Sequence, residues 1–156
     1  MKKYTIQLSF DAVASVEVLA NSEEEARSKA REVELELSDY DLQVVYESVE
    51  SETDVPDLSE MIEKAELIIR LYDEKQNDEP FAVDTYPHIT TQLWNGEDYY
   101  NKHNLVEDFY WDSDQEELGM AVDNDVEIMI SELSEMEQFT VSKLIIDSAQ
   151  ANGIEL

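Results

Sequence analysis

The side chains able to do chemistry in this 156-residue chain are almost all carboxylates. Thirty-nine Asp and Glu stand beside ten Lys and Arg, two histidines and no cysteine. The usual catalytic arrangements fail on spacing. There is no Gly-x-Ser-x-Gly, and the glycines, Gly96, Gly119 and Gly153, make no phosphate-binding loop, where backbone amides close on an anion only if glycine allows the approach. His88 and His103 lie in separate segments, neither with a His-Glu-x-x-His partner. His88 follows Pro87 and reads as a loop or strand-edge residue, and His103, among Asn101, Lys102 and Asn104, reads as solvated.

Paired carboxylates can divide acid–base work between them, but among 39 carboxylates pairs arise by chance. Asp112-Ser113-Asp114-Gln115-Glu116 has the alternating oxygens of a calcium loop. Counted from Asp112, position six is Glu117 where glycine is needed, and position twelve is Asp123 where a bidentate glutamate is expected, so an EF-hand is excluded. Without cysteine there is no disulfide framework and no thiolate metal site. The expectation is a protein that is not an enzyme and has neither cofactor nor resident metal.

The carboxylates are then best read as a field. Net charge is −29. Residues 1–50 carry five basic and 12 acidic side chains, net −7, whereas residues 51–156 carry five and 27, net −22. Such a chain is repelled by nucleic acid and by anionic lipid, which excludes direct DNA or RNA binding and membrane-surface binding and leaves basic protein surfaces as partners. No apolar run reaches the roughly 18–20 residues that span a bilayer. Met1 to Ile6 runs straight into an alternating strand with no signal-peptide core, so a cytoplasmic location is expected. With 42% hydrophobic residues in periodic patterns, the chain has the means to fold despite its charge.

The elements that must carry this field follow from periodicity. Tyr4, Ile6, Leu8 and Phe10 alternate with polar residues as a strand, and Val16 and Val18 belong to a second, from about Ala12 to Ala20, with the turn at Asp11 and Ala12. Ser22 with Glu25 forms a capping box, and Glu23, Glu24 and Glu25 suit the first turn of a helix whose face is Ala26, Ala30, Val33 and Leu37, ending at Ser38-Asp39. Leu42, Val44 and Tyr46 open a third strand running to Val49. Residues 1–50 are thus a β-β-α-β module.

A paired strand leading into Val18-Leu19-Ala20-Asn21-Ser22-Glu23-Glu24-Glu25-Ala26 resembles the DpnD/PcfM-like module of bacterial mobile elements. The resemblance covers the first third of the chain. It implies a phage, plasmid or conjugative setting, hence a bacterial host cell, and brings no chemistry with it.

Ser51 to Pro56 reads as a linker. Asp57 caps a helix from about Leu58 to Gln76, with Leu58, Met61, Ile62, Ala65, Ile68, Ile69 and Tyr72 as its apolar stripe, stopped by Asn77 to Pro80. Phe81 to Val83 and His88 to Trp94 read as short strands, with a turn at Asn95-Gly96. Residues 97–125, dense in aromatics and acids, have no clear period. Val126, Ile128 and Ile130 alternate, but Val122, Val126, Met129 and Leu133 fit a helix, and the helix is the reading preferred. Thr140 caps a last helix, which Asn152-Gly153 stops.

The resulting expectation is an α+β protein. Residues 1–50 form a small antiparallel sheet with one helix, and residues 51–156 form a helix-rich acidic portion packed on it as one compact unit.

Duplex DNA carries one charge per about 1.7 Å of axis, so 29 charges match about 49 Å, or about 14 base pairs. A compact chain of this length has a radius of gyration of about 15 Å, hence a charge per unit length comparable to that of DNA. In composition the chain resembles the DNA-mimic anti-restriction and anti-CRISPR proteins. The resemblance implies an inhibitor occupying the nucleic-acid site of a basic protein such as a defence nuclease. The residues expected at the contact are Asp108, Tyr110, Trp111, Asp112, Asp114, Glu116 and Glu117, the densest mix of acids and rigid aromatic anchors. Two other readings stand beside it. The chain can be an acidic adaptor or chaperone for a basic partner of a mobile element, or its acids can be solvated faces that keep it soluble. Glu (24) exceeds Asp (15), which makes salt adaptation less attractive.

Overall fold

The computed structural model describes residues 1–9, 13–32, 46–75, 81–94, 99–122 and 126–153. The expected features at Asp11-Ala12, Val33 to Val44, Asn77 to Pro80 and Asn95-Gly96 lie outside them. The chain divides into two units, Met1–Asp57 and Leu58–Leu156. Both are α+β with antiparallel sheets.

The first unit runs β1 (Lys2–Ser9), β2 (Val13–Ala20), α1 (Glu23–Glu32) and β3 (Tyr46–Asp54), with sheet order β2-β1-β3. Period-two alternation places Tyr4 opposite Val18 and Ile6 opposite Val16, and these four pack with Ala26 and Ala30 of α1. The start of α1 closes much as its sequence foretells. The Glu25 amide donates to Ser22 Oγ at 3.2 Å, while the Glu25 carboxylate reaches one residue further back and accepts from the Asn21 amide at 3.0 Å. β3 reaches Asp54, so Ser51 to Asp54 are strand rather than linker. The reason is pairing: Lys2 to Thr5 need partners, and Asp54, Thr53, Glu52 and Ser51 supply them. The division between units accordingly falls after Asp57, not after residue 50. Basic side chains here are matched to acids, with Lys3 3.0 Å from Glu17, Arg27 2.7 Å from Glu23, Lys29 3.2 Å from Glu25, and Lys2 on Glu52.

The second unit contains α2 (Leu58–Lys75), β4 (His88–Trp94), β5 (Tyr99–Asp112), β6 (Glu117–Val122), β7 (Val126–Met129), a 3-10 turn at Ile130–Glu132 and α3 (Glu135–Ala151). Its sheet order is β4-β5-β6-β7. The long strand β5 joins two hairpins. Tyr99 to Leu105 pair with β4, and Val106 to Asp112 pair with β6. One sheet face carries Val106, Phe109, Leu118, Met120, Val122 and Ile128, which pack in one core with Ala65, Ile68 and Ile69 of α2 and Val141, Ile145 and Ala149 of α3. The α2 stripe faces the core as its spacing requires, with Leu58, Met61, Ala65, Ile68 and Ile69 buried and Ile62 and Tyr72 partly so.

Three local readings change. Val126 to Met129 are a strand, not part of a helix, because Ile128 pairs with Met120 on the core face and leaves Glu127 outward. The last helix begins at Glu135, five residues before Thr140. Its N-cap is Ser134, whose Oγ accepts from the Glu137 amide, with Glu137 reaching back to Ser134, whereas the Thr140 hydroxyl donates to the Met136 carbonyl within the helix at 2.8 Å. Phe81 to Val83 form no strand. Phe81 is instead a buried plug, its ring edge-on to Tyr72 at 5.2 Å. At the other end of α3, Gly153 takes φ +71, the left-handed conformation of a helix stop. Among the described residues no helix is long and apolar enough to cross a membrane.

Candidate binding face

The hairpin of β5 and β6 sorts the expected contact residues by parity. Phe109 and Trp111 point to the helix side, opposite Met120 and Leu118. Tyr110 and Asp112 have the other parity and mark an outer face. The register extends that face across three strands: Tyr110–Gly119–Met129 in one row and Asp108–Ala121–Glu127 in the next, with Asp112 opposite Glu117 at the hairpin end.

Tyr110 lies directly on Gly119. A Cβ at position 119 would stand 2.4 Å from Tyr110 Cζ and 2.8 Å from its hydroxyl, so only glycine accommodates the ring there. The phenol oxygen is buried and has no hydrogen-bond partner among the described residues. Burial, and after it the carboxylates of Glu127, Asp112 and Glu132, push its pKa up to about 12. The centre of the outer face is therefore a neutral ring framed by negative charge.

Several carboxylates of this unit are fixed by backbone amides. Asp112 Oδ1 accepts from Asp114 N at 2.8 Å and Gln115 N at 2.9 Å, so the oxygens that resemble a calcium loop build the turn between β5 and β6. Glu117 Oε1 accepts from Ser131 N at 2.6 Å. Asp108 sits next to a bulge at Glu107 and turns its carboxylate to the strand edge, where Oδ1 accepts from Phe109 N at 2.8 Å and the group also takes the Phe81 amide. Asp73 of α2 accepts from Trp111 N at 2.7 Å, and Glu66 takes the Leu118 amide. Burial raises the pKa of Asp108, Asp73 and Glu66 despite these bonds, and Asp73 adds to the rise at Asp108. Among the described residues no group of three or more His, Asp or Glu is placed to hold a metal ion.

Of the seven expected contact residues, Asp108, Tyr110, Asp112 and Glu117 share the outer face, although Asp108 bends to its rim. Asp114 and Glu116 occupy the exposed hairpin turn. Trp111 is on the helix side, half-buried with the Arg70 guanidinium 5.6 Å from its ring centroid, and does not join them. Glu127 and Glu132 were not among the seven, yet both act on the Tyr110 hydroxyl. The alternation of Val126, Ile128 and Ile130 was the signal for Glu127, since a strand there turns Glu127 outward. A scan against protein-family models finds no match, and searches of curated proteins and of solved structures find none either.

Proposed function

We propose that this chain is an acidic decoy that occupies the nucleic-acid site of a basic protein, a defence nuclease in a phage or mobile-element setting. The observation that carries the reading is the charge of the second unit: 24 acidic against five basic side chains, net −19, from Leu58 onward. Acidic side chains thus outnumber basic ones in this unit by 19. Backbone amides hold Asp112 and Glu117 in place, so these charges are ordered before any partner arrives and lose less freedom on binding, as do phosphates on a duplex. Tyr110 supplies a rigid neutral anchor among them. Counterion release and long-range steering then favour a cationic groove. The mobile-element setting is part of the proposal and rests only on the resemblance of the strand-to-helix run Val18 to Ala26 to the DpnD/PcfM-like module.

The test is capture from bacterial lysate by the tagged chain, elution along a salt gradient and identification by mass spectrometry. A single nucleic-acid-binding protein that elutes at high salt and is displaced by duplex DNA is the expected result. A broad set of basic proteins leaving at low salt removes the decoy reading.

One observation favours a second reading, an adaptor acting through its first unit. That unit has its own core and its own matched ion pairs. A chain limited to residues 58–156 keeps the capture if the decoy reading holds and loses it if the adaptor reading does.

A further inference from the structure

The outermost strands of the four-stranded sheet are β4 and β7. In β4 the Thr90 amide donates to Glu137 Oε1 at 2.7 Å, and in β7 the Met129 amide donates to Glu132 Oε2 at 2.8 Å. Both amides therefore point away from the neighbouring strand and out of the sheet, where an unpaired N–H is a template for another chain. Both acceptors come from one short stretch, Ile130–Glu137, which leaves β7, makes the 3-10 turn and begins α3.

That stretch is itself held at three points. Glu137 Oε2 accepts from Ser134 N at 3.1 Å and Ser134 Oγ at 2.6 Å, which leaves Oε1 for Thr90. The Ser131 amide is tied to Glu117 of β6 at 2.6 Å. The Gln138 side chain donates to the Leu133 carbonyl at 2.9 Å. A carboxylate accepting a backbone amide imitates the carbonyl of an incoming strand, and the charge strengthens the bond.

We propose that Ile130–Glu137 is a clasp that occupies one outward amide on each outermost strand of this sheet, Thr90 in β4 and Met129 in β7 (the latter as part of the 3-10 turn's own cap), and so hinders pairing with a strand of a second copy of the chain. The clasp concerns the edges, not the outer face, and stands whether or not a decoy partner exists. The competing explanation for a chain that stays apart from its copies is repulsion between charges of −29. Salt separates the two. At about 1 M salt the Debye length falls to about 3 Å, so repulsion is screened while a direct hydrogen bond persists.

The experiment is sedimentation velocity of the full chain at low salt and at about 1 M salt. It compares the unchanged chain with E132A/E137A, E132Q/E137Q and S134A. The unchanged chain is expected to stay monomeric at both salts. E132A/E137A should associate at high salt, with at least a tenfold larger associated fraction at equal concentration. E132Q/E137Q keeps a side-chain oxygen that accepts the amide and should remain monomeric. S134A loses the helix cap but keeps Glu137 on Thr90, so it should be monomeric with a lowered melting temperature. The proposal fails if E132A/E137A keeps the native circular dichroism and stays monomeric at high salt. It fails equally if S134A associates as strongly, which would make general destabilisation the cause, or if the unchanged chain associates once salt is raised. Should E132A/E137A not fold, hydrogen exchange on the unchanged chain decides. Protected Thr90 and Met129 amides uphold the clasp, and amides exchanging at solvent rates overturn it.

Discussion

Tyr110 and Gly119 are opposite each other in the β5–β6 hairpin, and the tyrosine ring fills the space a side chain at 119 would need. Gly119→Ala forces the ring to move or the strands to part and should cost about 1–3 kcal/mol of stability. Tyr110→Phe removes a buried hydroxyl without a partner and should be neutral or stabilising by up to about 1 kcal/mol. Urea unfolding followed by tryptophan emission measures both, since Trp94 and Trp111 are in the second unit. The same phenol should ionise near 12 rather than at its ordinary 10.0. Because the folded state holds that proton after the unfolded chain has lost it, stability should fall as pH rises from about 10 to about 12, a fall absent from Tyr110→Phe.

Three carboxylates of the second unit give the opposite end of the pH range its direction. Asp73 and Asp108 are raised from an ordinary 3.8 and Glu66 from 4.5, in each case chiefly by burial. The folded unit therefore binds protons before the unfolded chain does, and its stability rises as pH falls from neutrality through the raised values. Glu25 in the first unit is lowered, mainly by the Asn21 amide, and loses its contribution over the acid range below its ordinary 4.5. Unfolding midpoints read from tryptophan emission should increase as pH falls from neutrality toward the ordinary carboxylate range, and Asp108→Asn should flatten that slope. A midpoint that drops steadily with acidification would contradict the assignment.

Glu116 has φ 54, a left-handed conformation that an L residue with a side chain adopts at a cost of roughly 1 kcal/mol. It ends the turn whose other amides are held by Asp112. Glu116→Gly relieves that cost, but the extra freedom of glycine in the unfolded chain offsets most of it, so the second unit should gain no more than about 0.5 kcal/mol. Glu116→Val, branched at Cβ, should destabilise it. Equal midpoints for the two variants would mean that position 116 is not left-handed in solution.

The decoy reading also ranks the acids. Charge reversal to lysine at Asp114, Glu116 and Glu127, all exposed at or beside the outer face, should weaken capture of the partner by roughly tenfold or more. Reversal at Glu24, Glu32 and Asp54 in the first unit alters net charge equally and should do markedly less. Salt-gradient elution positions of the two triple variants make the comparison, and identical positions would place the contact elsewhere.

Much of this was readable in the residues, for physical reasons that differ between segments. Strong periodicity identified β1, β2, α1 and α2, where one face is buried and the other solvated. Spacing misled where two periods compete over few residues. Val126 to Leu133 satisfies both helix and strand, and what decided it was pairing with β6, a long-range fact. The start of α3 lies at Ser134 rather than Thr140, and the signal for it is local: Ser134 with Glu137 has the same capping-box spacing as Ser22 with Glu25. The outer face was half legible. Asp108, Tyr110 and Asp112 share parity within one strand, whereas Glu127 joins them only through the register of two further strands. Trp111 was drawn in by adjacency, but neighbours on a strand face opposite ways.

Among the described residues, each sheet contains one residue that its ladder skips, and both are glutamates. Val49 and Ser51 face Ile6 and Thr5, with Glu50 between them; Val106 and Asp108 face Val122 and Ala121, with Glu107 between them. Losing almost any other strand residue would swap inside for outside along the rest of the strand. Losing either glutamate leaves the flanking pairs matched and their alternation unbroken. The chain can therefore shorten at two interior points without changing which face any other side chain presents, a freedom usually confined to loops.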